Sequence, residues 1–238
     1  MKDFLKYVVD PEHRKKRLYE RSGNYLEYLK NPLKIYFKHK AEGKAREICA
    51  TPEVRGIAKR ISSYEGEYKK YRDLKRYIKM NLRRIYELGL DKKTGLQILD
   101  IGSGAGFFSF LARKFGHTSQ GLDLPFVEIF NILIKEFNVP RWECSIDPQT
   151  PITINNGRKF DLIVAYAICF HMVGDRVWTR EDWHFFLNDV KNNLIKPRGK
   201  MRLWFNNYPH GDYEDVKNKV LDSGLKIKLG HKTIDIYF

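Results

Sequence analysis

A glycine-rich turn is the part of the sequence whose residue types best suit ligand binding. Gly102, Gly104 and Gly106 follow a short apolar stretch, Gln-Ile-Leu-Asp-Ile, at positions 97–101. Because glycines carry no side chain, they permit a sharp turn and let the backbone approach a ligand closely. A helix is expected to begin near Phe107, and its free amide groups and positive dipole end would face an anion. The pattern therefore predicts an anion-binding turn between a strand and a helix.

Two acidic residues accompany this turn. Asp100 precedes the first glycine by two positions, and Asp123 follows Gly102 by 21 positions. An acid at about the latter spacing hydrogen-bonds ribose hydroxyls in dinucleotide-binding folds. The dinucleotide fingerprint G-x-G-x-x-G needs glycine or alanine at position 107, however, and this chain has Phe107. A nicotinamide or flavin site is therefore disfavoured, and a glycine turn that binds no ligand remains a further alternative.

These residues require a scaffold in which strands alternate with helices. Apolar stretches predict strands at 97–101, 119–122, 142–146, 160–170 and 200–205, with helices over 107–115, 127–137, 183–194 and 213–221. Two further strands, 225–229 and 233–237, are joined through a turn at Gly230. This alternation is typical of an α/β fold with a largely parallel sheet. The longest apolar run, 160–170, is expected to form a central strand buried on both faces.

Positive charge is concentrated in the first part of the chain. Of 44 Lys plus Arg and 29 Asp plus Glu, 26 and 13 lie in residues 1–93, so this segment carries +13 of the net charge of +15. We expect residues 1–93 to form a basic helical extension and residues 94–238 to form the α/β domain. A long helix is predicted over 62–88, with Ser62 and Glu65 as a capping box. Its basic side chains either form an ordinary solvated surface or attract RNA, an anionic membrane surface or a phosphate-bearing substrate.

Cysteine content and hydropathy favour a protein of the reducing cytoplasm. Cys49, Cys144 and Cys169 form no close pair, which argues against a structural zinc site or a disulfide framework. The sequence has no run of 18 or more apolar residues, and its first residues lack the apolar core of a secretion signal. We expect a soluble cytoplasmic protein without a transmembrane segment. Peripheral binding to a membrane surface is compatible with this expectation.

The stretch 98–106, Ile-Leu-Asp-Ile-Gly-Ser-Gly-Ala-Gly, closely resembles the first motif of class I S-adenosylmethionine-dependent methyltransferases. The resemblance covers about residues 94–238. It implies a Rossmann-like, seven-stranded, mostly parallel sheet with helices on both faces, and S-adenosylmethionine as the cofactor. In this family the glycine turn receives the cofactor's carboxylate, Asp100 counters its ammonium group directly or through water, and Asp123 accepts hydrogen bonds from the ribose hydroxyls. The residues implied to bind the cofactor are Asp100, Gly102, Ser103, Gly104, Gly106, Asp123, Leu124, Ile146 and Asp147, the last two beside the adenine.

His171 is the predicted catalytic residue. Ligands in this fold bind beyond the carboxyl ends of the strands, and the predicted fourth strand ends in the stretch Ile168-Cys169-Phe170-His171-Met172. An imidazole titrates near neutral pH, so His171 is suited to remove the proton from an acceptor hydroxyl. The alternative is a histidine that only supports the loop or binds substrate. Asp175, Glu181 and Asp182 are typical of a solvated loop and helix start, so we predict no metal site.

Three functions are compatible with these features. The first is O-methylation of a sugar, glycan or other small acceptor, and acceptors that carry negative charge fit the basic segment. The second is methylation of RNA bound along that segment. The third is a binding protein that has the methyltransferase fold but transfers nothing. The resemblance favours an enzyme, and we expect the first function.

Overall fold

A seven-stranded sheet lies at the centre of the protein. The structure is a computed structural model that describes residues 32–153, 157–167, 170–173, 176–205 and 213–238. The spatial strand order is β3-β2-β1-β4-β5-β7-β6, and β7 alone runs opposite to the other six strands of this sheet. The predicted seven-stranded, mostly parallel sheet is thus confirmed. The strands are β1 (Gln97–Ile101), β2 (Thr118–Asp123), β3 (Arg141–Glu143), β4 (Phe160–Tyr166), β5 (Ile195–Trp204), β6 (Lys226–Gly230) and β7 (Thr233–Tyr237).

Helices cover both faces of this sheet, as predicted. Alternate residues of the central strands point to opposite faces, so that Ile98 and Val164 belong to one core while Leu99 and Ile163 belong to the other. The first core is completed by α1 to α5 and the second by α6 and α7. The helices are α1 (Pro32–Cys49), α2 (Pro52–Ile61), α3 (Leu74–Glu87), α4 (Phe107–Lys114), α5 (Glu128–Glu136), α6 (Arg180–Asp189) and α7 (Tyr213–Leu221). No helix within the described ranges is both long and apolar enough to cross a membrane.

The prediction of one continuous helix over 62–88 is wrong. The chain forms α2, a connecting segment with a single 3-10 turn at Lys69–Arg72, and then α3. Ser62 does not begin a helix but ends one, because its hydroxyl donates to the carbonyl of Lys59 at 2.7 Å. Asp73 is the residue that caps α3, by accepting a hydrogen bond from the backbone of Arg76 at 3.0 Å.

The spacing of the tyrosines explains why the sequence predicted one helix, because Tyr64, Tyr68 and Tyr71 recur at steps of three or four residues, as on one face of a helix. Tyr71 precedes α3, yet its ring stacks on Tyr77 inside the helix with 4.3 Å between the ring centroids. Tyr68 adopts a left-handed backbone conformation, with a φ of 63°, which no continuous α-helix allows. The aromatic rings therefore gather on one side through a turn in the chain and not through helical periodicity.

Three strand ends also differ from the sequence-based expectation. β3 ends at Glu143, so Ile146 and Asp147 lie in the following loop. β4 ends at Tyr166 and not at 170, and residues 168 and 169, including Cys169, lie outside the described part of the chain. β5 begins at Ile195, because the Pro197-Arg198-Gly199 turn is a bulge inside the strand, across which the register with β4 shifts.

The described part of the basic segment packs on the sheet. Ile78, Leu82 and Ile85 of α3 are fully buried in the same core as α4 and α5. Arg60 of α2 forms an ion pair with Glu136 of α5, and Lys114 of α4 pairs with Glu53 of α2. A division of the chain at residue 93 stays a prediction, and residues 1–31 lie outside the described residues.

Candidate functional site

The glycine turn joins the carboxyl end of β1 to α4. Gly102, Gly104 and Gly106 have φ values of 66°, 52° and 74°, a region that side chains disfavour. The amide of Gly102 donates to the carbonyl of Leu122 at 2.8 Å, which ties the turn to the end of β2. A Cβ added to Gly102 would meet nothing within 4 Å, whereas one added to Gly106 would lie 2.6 Å from Ile134 Cδ1. The turn is therefore open for a ligand at Gly102 and closed by packing at Gly106.

Asp123 bridges the end of β2 and this turn. Its Oδ2 accepts a hydrogen bond from the amide of Gly104 at 2.5 Å, and its Oδ1 accepts one from the amide of Leu124 at 2.8 Å. Burial raises the pKa of Asp123, while these two donors and the charge of Arg141 oppose the shift. Each carboxylate oxygen has further lone pairs. The carboxylate therefore keeps acceptor capacity beside the turn, and its contact with a ribose stays a prediction.

Ser103 lies between the turn and β2. Its hydroxyl is buried and has no hydrogen-bond partner among the described residues. That hydroxyl would be 2.6 Å from a Cβ added to Gly121, so any larger residue at this position of β2 would displace the Ser103 side chain. An unpartnered polar atom beside the open turn suits a polar ligand, because an unsatisfied buried group carries a free-energy cost.

Asp100 lies beneath the turn and faces α4. Only 2% of the residue is exposed, and its Oδ2 accepts a hydrogen bond from the hydroxyl of Ser109 at 3.0 Å. Ser109 in turn accepts one from Ser119 at 3.0 Å. Burial raises the pKa of Asp100 to about 7, against the opposing effects of Ser109 and Arg84. Asp100 thus ionises in the physiological range, and a nearby cation would favour its charged form.

The two residues predicted to contact adenine lie in the loop after β3. Ile146 is buried in the core that α6 and α7 complete. Asp147 is exposed, and its carboxylate accepts a hydrogen bond from Ser145. The loop after β2 holds Phe126, whose exposed fraction of 81% is the largest among the exposed large apolar side chains of the described residues. An adenine contact by Ile146 and Asp147 stays a prediction, and the sequence did not mark Phe126, an exposed aromatic residue three positions after Asp123.

His171 is enclosed by aromatic rings. Its ring lies 5.6 Å from Trp183 and 6.0 Å from Phe205, measured between ring centroids, and the residue is only 1% exposed. Neither ring nitrogen has a hydrogen-bond partner within the described ranges. Burial lowers the pKa of His171 to about 4, while Asp215 acts in the opposite direction. At neutral pH the imidazole is therefore uncharged, and its role as a base stays a prediction.

Tyr166 and Arg84 are candidate residues that sequence analysis missed. Tyr166 is the last residue of β4. The sequence predicted that this strand ends at 170, and so indicated His171 as the residue at this edge of the sheet. The hydroxyl of Tyr166 is buried without a partner among the described residues, and the next residue, Ala167, has a φ of 60°. Arg84 of α3 lies over the Tyr166 ring, with its Cζ 4.1 Å from the ring centroid. No sequence signal distinguished Arg84 from the other basic residues of its helix.

Comparison with known proteins finds likeness only at the level of solved structures. No family model matches the chain, and no curated protein matches it. One similar structure is a TehB-like SAM-dependent methyltransferase from Corynebacterium glutamicum, with 17% identity and a TM-score of 0.43 over 66% of this chain and 92% of that chain. Another is a putative O-methyltransferase from Nostoc punctiforme, with 13% identity and a TM-score of 0.45 over 82% and 72%.

A third similar structure is a 16S rRNA methyltransferase from T. thermophilus in complex with AdoMet and guanosine. It has 21% identity and a TM-score of 0.44 over 67% of this chain and 41% of that chain. These are distant likenesses of fold among S-adenosylmethionine-dependent methyltransferases, the class that residues 98–106 resemble.

Proposed function

We propose that the protein transfers a methyl group from S-adenosylmethionine. The observation that carries this proposal is the pairing of a glycine turn open at Gly102 with the Asp123 carboxylate bound to Gly104. The turn leaves room for a ligand to approach the backbone, and the carboxylate supplies the acceptors that ribose hydroxyls need. The free hydroxyl of Ser103 adds a polar contact at the same place.

Each part of the site has a role in binding this cofactor. When bound, S-adenosylmethionine supplies an electrophilic methyl group on a positively charged sulfur. The amides at the start of α4 receive the carboxylate, because the helix dipole favours an anion there. Asp123 holds the ribose, and Asp100 contributes negative charge beneath the turn. These residues together fix the orientation of the cofactor at the carboxyl ends of β1 and β2.

We further propose that the acceptor is a small molecule, such as a sugar, that is methylated on oxygen. The end of β4 supports this, because it lies beside the end of β1, where the glycine turn starts. Tyr166 and Arg84 supply hydrogen-bond donors at this edge, where ligands bind in parallel sheets. The proton of the acceptor hydroxyl must leave during transfer, and His171 is the predicted base.

Calorimetry and labelling together test this function. We expect S-adenosylmethionine and S-adenosylhomocysteine to bind with measurable heat. Labelled methyl groups are then expected in the small-molecule or glycan fraction of a cell extract incubated with the protein. Absence of heat with both compounds contradicts the cofactor assignment, and label confined to RNA or protein contradicts the acceptor assignment.

Cofactor affinity is expected to depend on pH through Asp100. Its pKa of about 7 means that the carboxyl is largely protonated at pH 6, so a cationic ligand must displace a proton there. We expect affinity for S-adenosylmethionine to rise by up to roughly tenfold between pH 6 and 7.5, since one pKa unit corresponds to a factor of ten. Calorimetry at both pH values checks this. The variant Asp100→Asn should bind more weakly and without this rise, and a rise that persists in the variant would assign the effect to another group.

RNA is a second candidate acceptor, favoured by one specific surface. Tyr68 is 40% exposed, and Lys70 lies 5.6 Å from the ring centroids of both Tyr68 and Tyr71. The Tyr68 ring is 5.7 Å from Phe130, which lies against Gly104 of the turn. Exposed aromatic rings among cations are typical of surfaces that bind single-stranded nucleic acid.

Salt dependence tests the RNA candidate. If this surface binds RNA, log affinity falls linearly with log salt, and Lys70→Ala reduces the slope by about one. Lys191→Ala, which removes an exposed lysine on the opposite face of the sheet, should leave the slope unchanged. Fluorescence anisotropy with a labelled single-stranded RNA measures both effects, and equal slopes for wild type and Lys70→Ala would exclude this surface.

A further inference from the structure

Arg84 spans the carboxyl ends of two central strands. Tyr166 ends β4 and Trp204 ends β5, and the two residues are register partners in the sheet. The guanidinium of Arg84 lies 4.1 Å from the ring centroid of Tyr166 and 5.6 Å from that of Trp204. Ligands in open α/β sheets bind at this edge, so Arg84 is positioned beside the acceptor's place in the proposed function.

The charge of Arg84 is not neutralised by a direct ion pair. Its Nη1 donates to the side chain of Asn81 at 2.8 Å, and no carboxylate lies within ion-pair distance among the described residues. Asp100 and Glu87 act on it only at longer range, and burial lowers the pKa of Arg84. Arg84 is half-buried. A cation partly removed from water without a counter-ion has a raised free energy, which an anionic ligand would lower.

Tyr166 adds a second donor at the same place. Its hydroxyl is buried and unpartnered in the described part of the chain, and the residue is only 9% exposed. Ala167 is held in a left-handed conformation, while its amide donates to the carbonyl of Trp204 at 3.0 Å. Strained residues of this kind persist where the surrounding structure imposes them, often at functional sites. The end of β4 is therefore fixed in shape, and the buried tyrosine hydroxyl keeps a donor that no described residue uses.

We propose that Arg84 and Tyr166 bind an anionic group, a carboxylate or a phosphate, on the acceptor. A planar guanidinium matches either group by two parallel hydrogen bonds, and the phenol adds a third. The net charge of +15 favours the approach of such an acceptor. This inference rests on the proposed methyl transfer and narrows its substrate class to acidic small molecules.

The first test measures anion binding without any turnover. Inorganic phosphate and, separately, acetate are titrated into the protein saturated with S-adenosylhomocysteine, and the arginine Nε–H resonances are followed by NMR. We expect one resonance to shift saturably, and Arg84→Lys should remove that resonance and weaken phosphate binding about tenfold, because lysine lacks the bidentate fork. Tyr166→Phe should weaken it about fivefold. Arg76→Lys, an exposed change on the same helix, should alter neither the shift nor the affinity.

The second test separates the two possible sources of the anion. S-adenosylhomocysteine carries a carboxylate and 5′-methylthioadenosine does not. If the acceptor supplies the anion, Arg84→Lys and wild type bind both compounds equally, and phosphate still binds in the presence of S-adenosylhomocysteine. Selective weakening of S-adenosylhomocysteine in Arg84→Lys would assign the anion to the cofactor and overturn the proposal.

The outcomes distinguish this inference from the proposed function. If neither nucleoside binds wild type, the cofactor assignment fails, and the phosphate titration on the free protein still reports on Arg84. If the nucleosides bind but phosphate and acetate shift no resonance that Arg84→Lys removes, the anion site is overturned while the cofactor site stands. Thermal unfolding of each variant confirms that the compared proteins are folded.

Discussion

Replacing Asp123 with alanine is expected to weaken binding of S-adenosylmethionine and S-adenosylhomocysteine by about 100-fold. The carboxylate is the proposed partner of the two ribose hydroxyls, and two hydrogen bonds to a charged group contribute about 3 kcal/mol together. The same carboxylate accepts the amide of Gly104, so its removal also loosens the turn. Isothermal titration calorimetry measures the loss. Asp123→Asn, which retains one acceptor oxygen, should bind with intermediate affinity.

Glu143 provides a matched control for this prediction. It is the register partner of Asp123 on β3, but its side chain is exposed and paired with Arg141 at 3.2 Å. Glu143→Ala removes the same charge at the same edge of the sheet, and we expect cofactor affinity to change little. Equal losses in both variants would mean that the general negative charge of this edge, and not the Asp123 carboxylate, supports binding. Wild-type affinity in Asp123→Ala would refute the ribose contact.

Replacing His171 with phenylalanine is expected to remove part of the acid sensitivity of folding. The pKa of His171 is lowered from 6.5 to about 4, so the unfolded chain binds a proton in this range while the folded protein does not. His171 therefore permits full stability above pH 6.5, and that stability falls by roughly 3 kcal/mol as the pH drops towards 4. Urea unfolding of wild type and variant at pH 7 and pH 5 measures the difference.

The comparison between wild type and His171→Phe isolates the contribution of His171 to the pH dependence of the free energy of unfolding. Asp100 has a raised pKa and acts in the opposite direction, because its contribution to stability falls as the pH rises from about 4 to 7. Asp215 and Lys219 also face the imidazole, and they are unchanged in the variant. If His171 is the base, turnover must fall strongly in His171→Phe while cofactor affinity stays intact. Unchanged turnover would show that the base prediction is wrong.

Local signals were sufficient to predict the first half of the sheet. The apolar stretch 97–101, the three glycines and the acid at 123 are near one another in sequence, and the structure places them in one turn and two adjacent strands. The prediction of a helix over 62–88 failed because Tyr68 and Tyr71 have the three-residue spacing of a helix face, although the chain forms a 3-10 turn there. Beside this turn the ring of Tyr71 stacks on that of Tyr77. A left-handed tyrosine such as Tyr68 has no signature in a single sequence.

The proposed acceptor side of the site was harder to predict from the sequence. The run 160–170 is apolar throughout, so nothing in it marks the end of β4 at Tyr166 or the left-handed Ala167. The predicted end of this strand lies four residues after the observed one, so the sequence indicated His171 and not Tyr166 at this edge of the sheet. Arg84 resembled its basic neighbours, because its position over the Tyr166 ring depends on how α3 packs on the sheet. Contacts between distant segments, and not residue types, determine this part of the site.

The order of the last two strands has a consequence for folding during synthesis. β7 lies between β5 and β6, although it follows both in the chain. β6 pairs with β7 alone, so it has no neighbour until residues 233–237 have left the ribosome. Until then β5 presents unpaired backbone groups along one side, and such an edge is a template for pairing with other nascent chains. Slow translation of residues 231–237 would prolong that exposure, so aggregation of nascent chains is the hazard that this strand order creates.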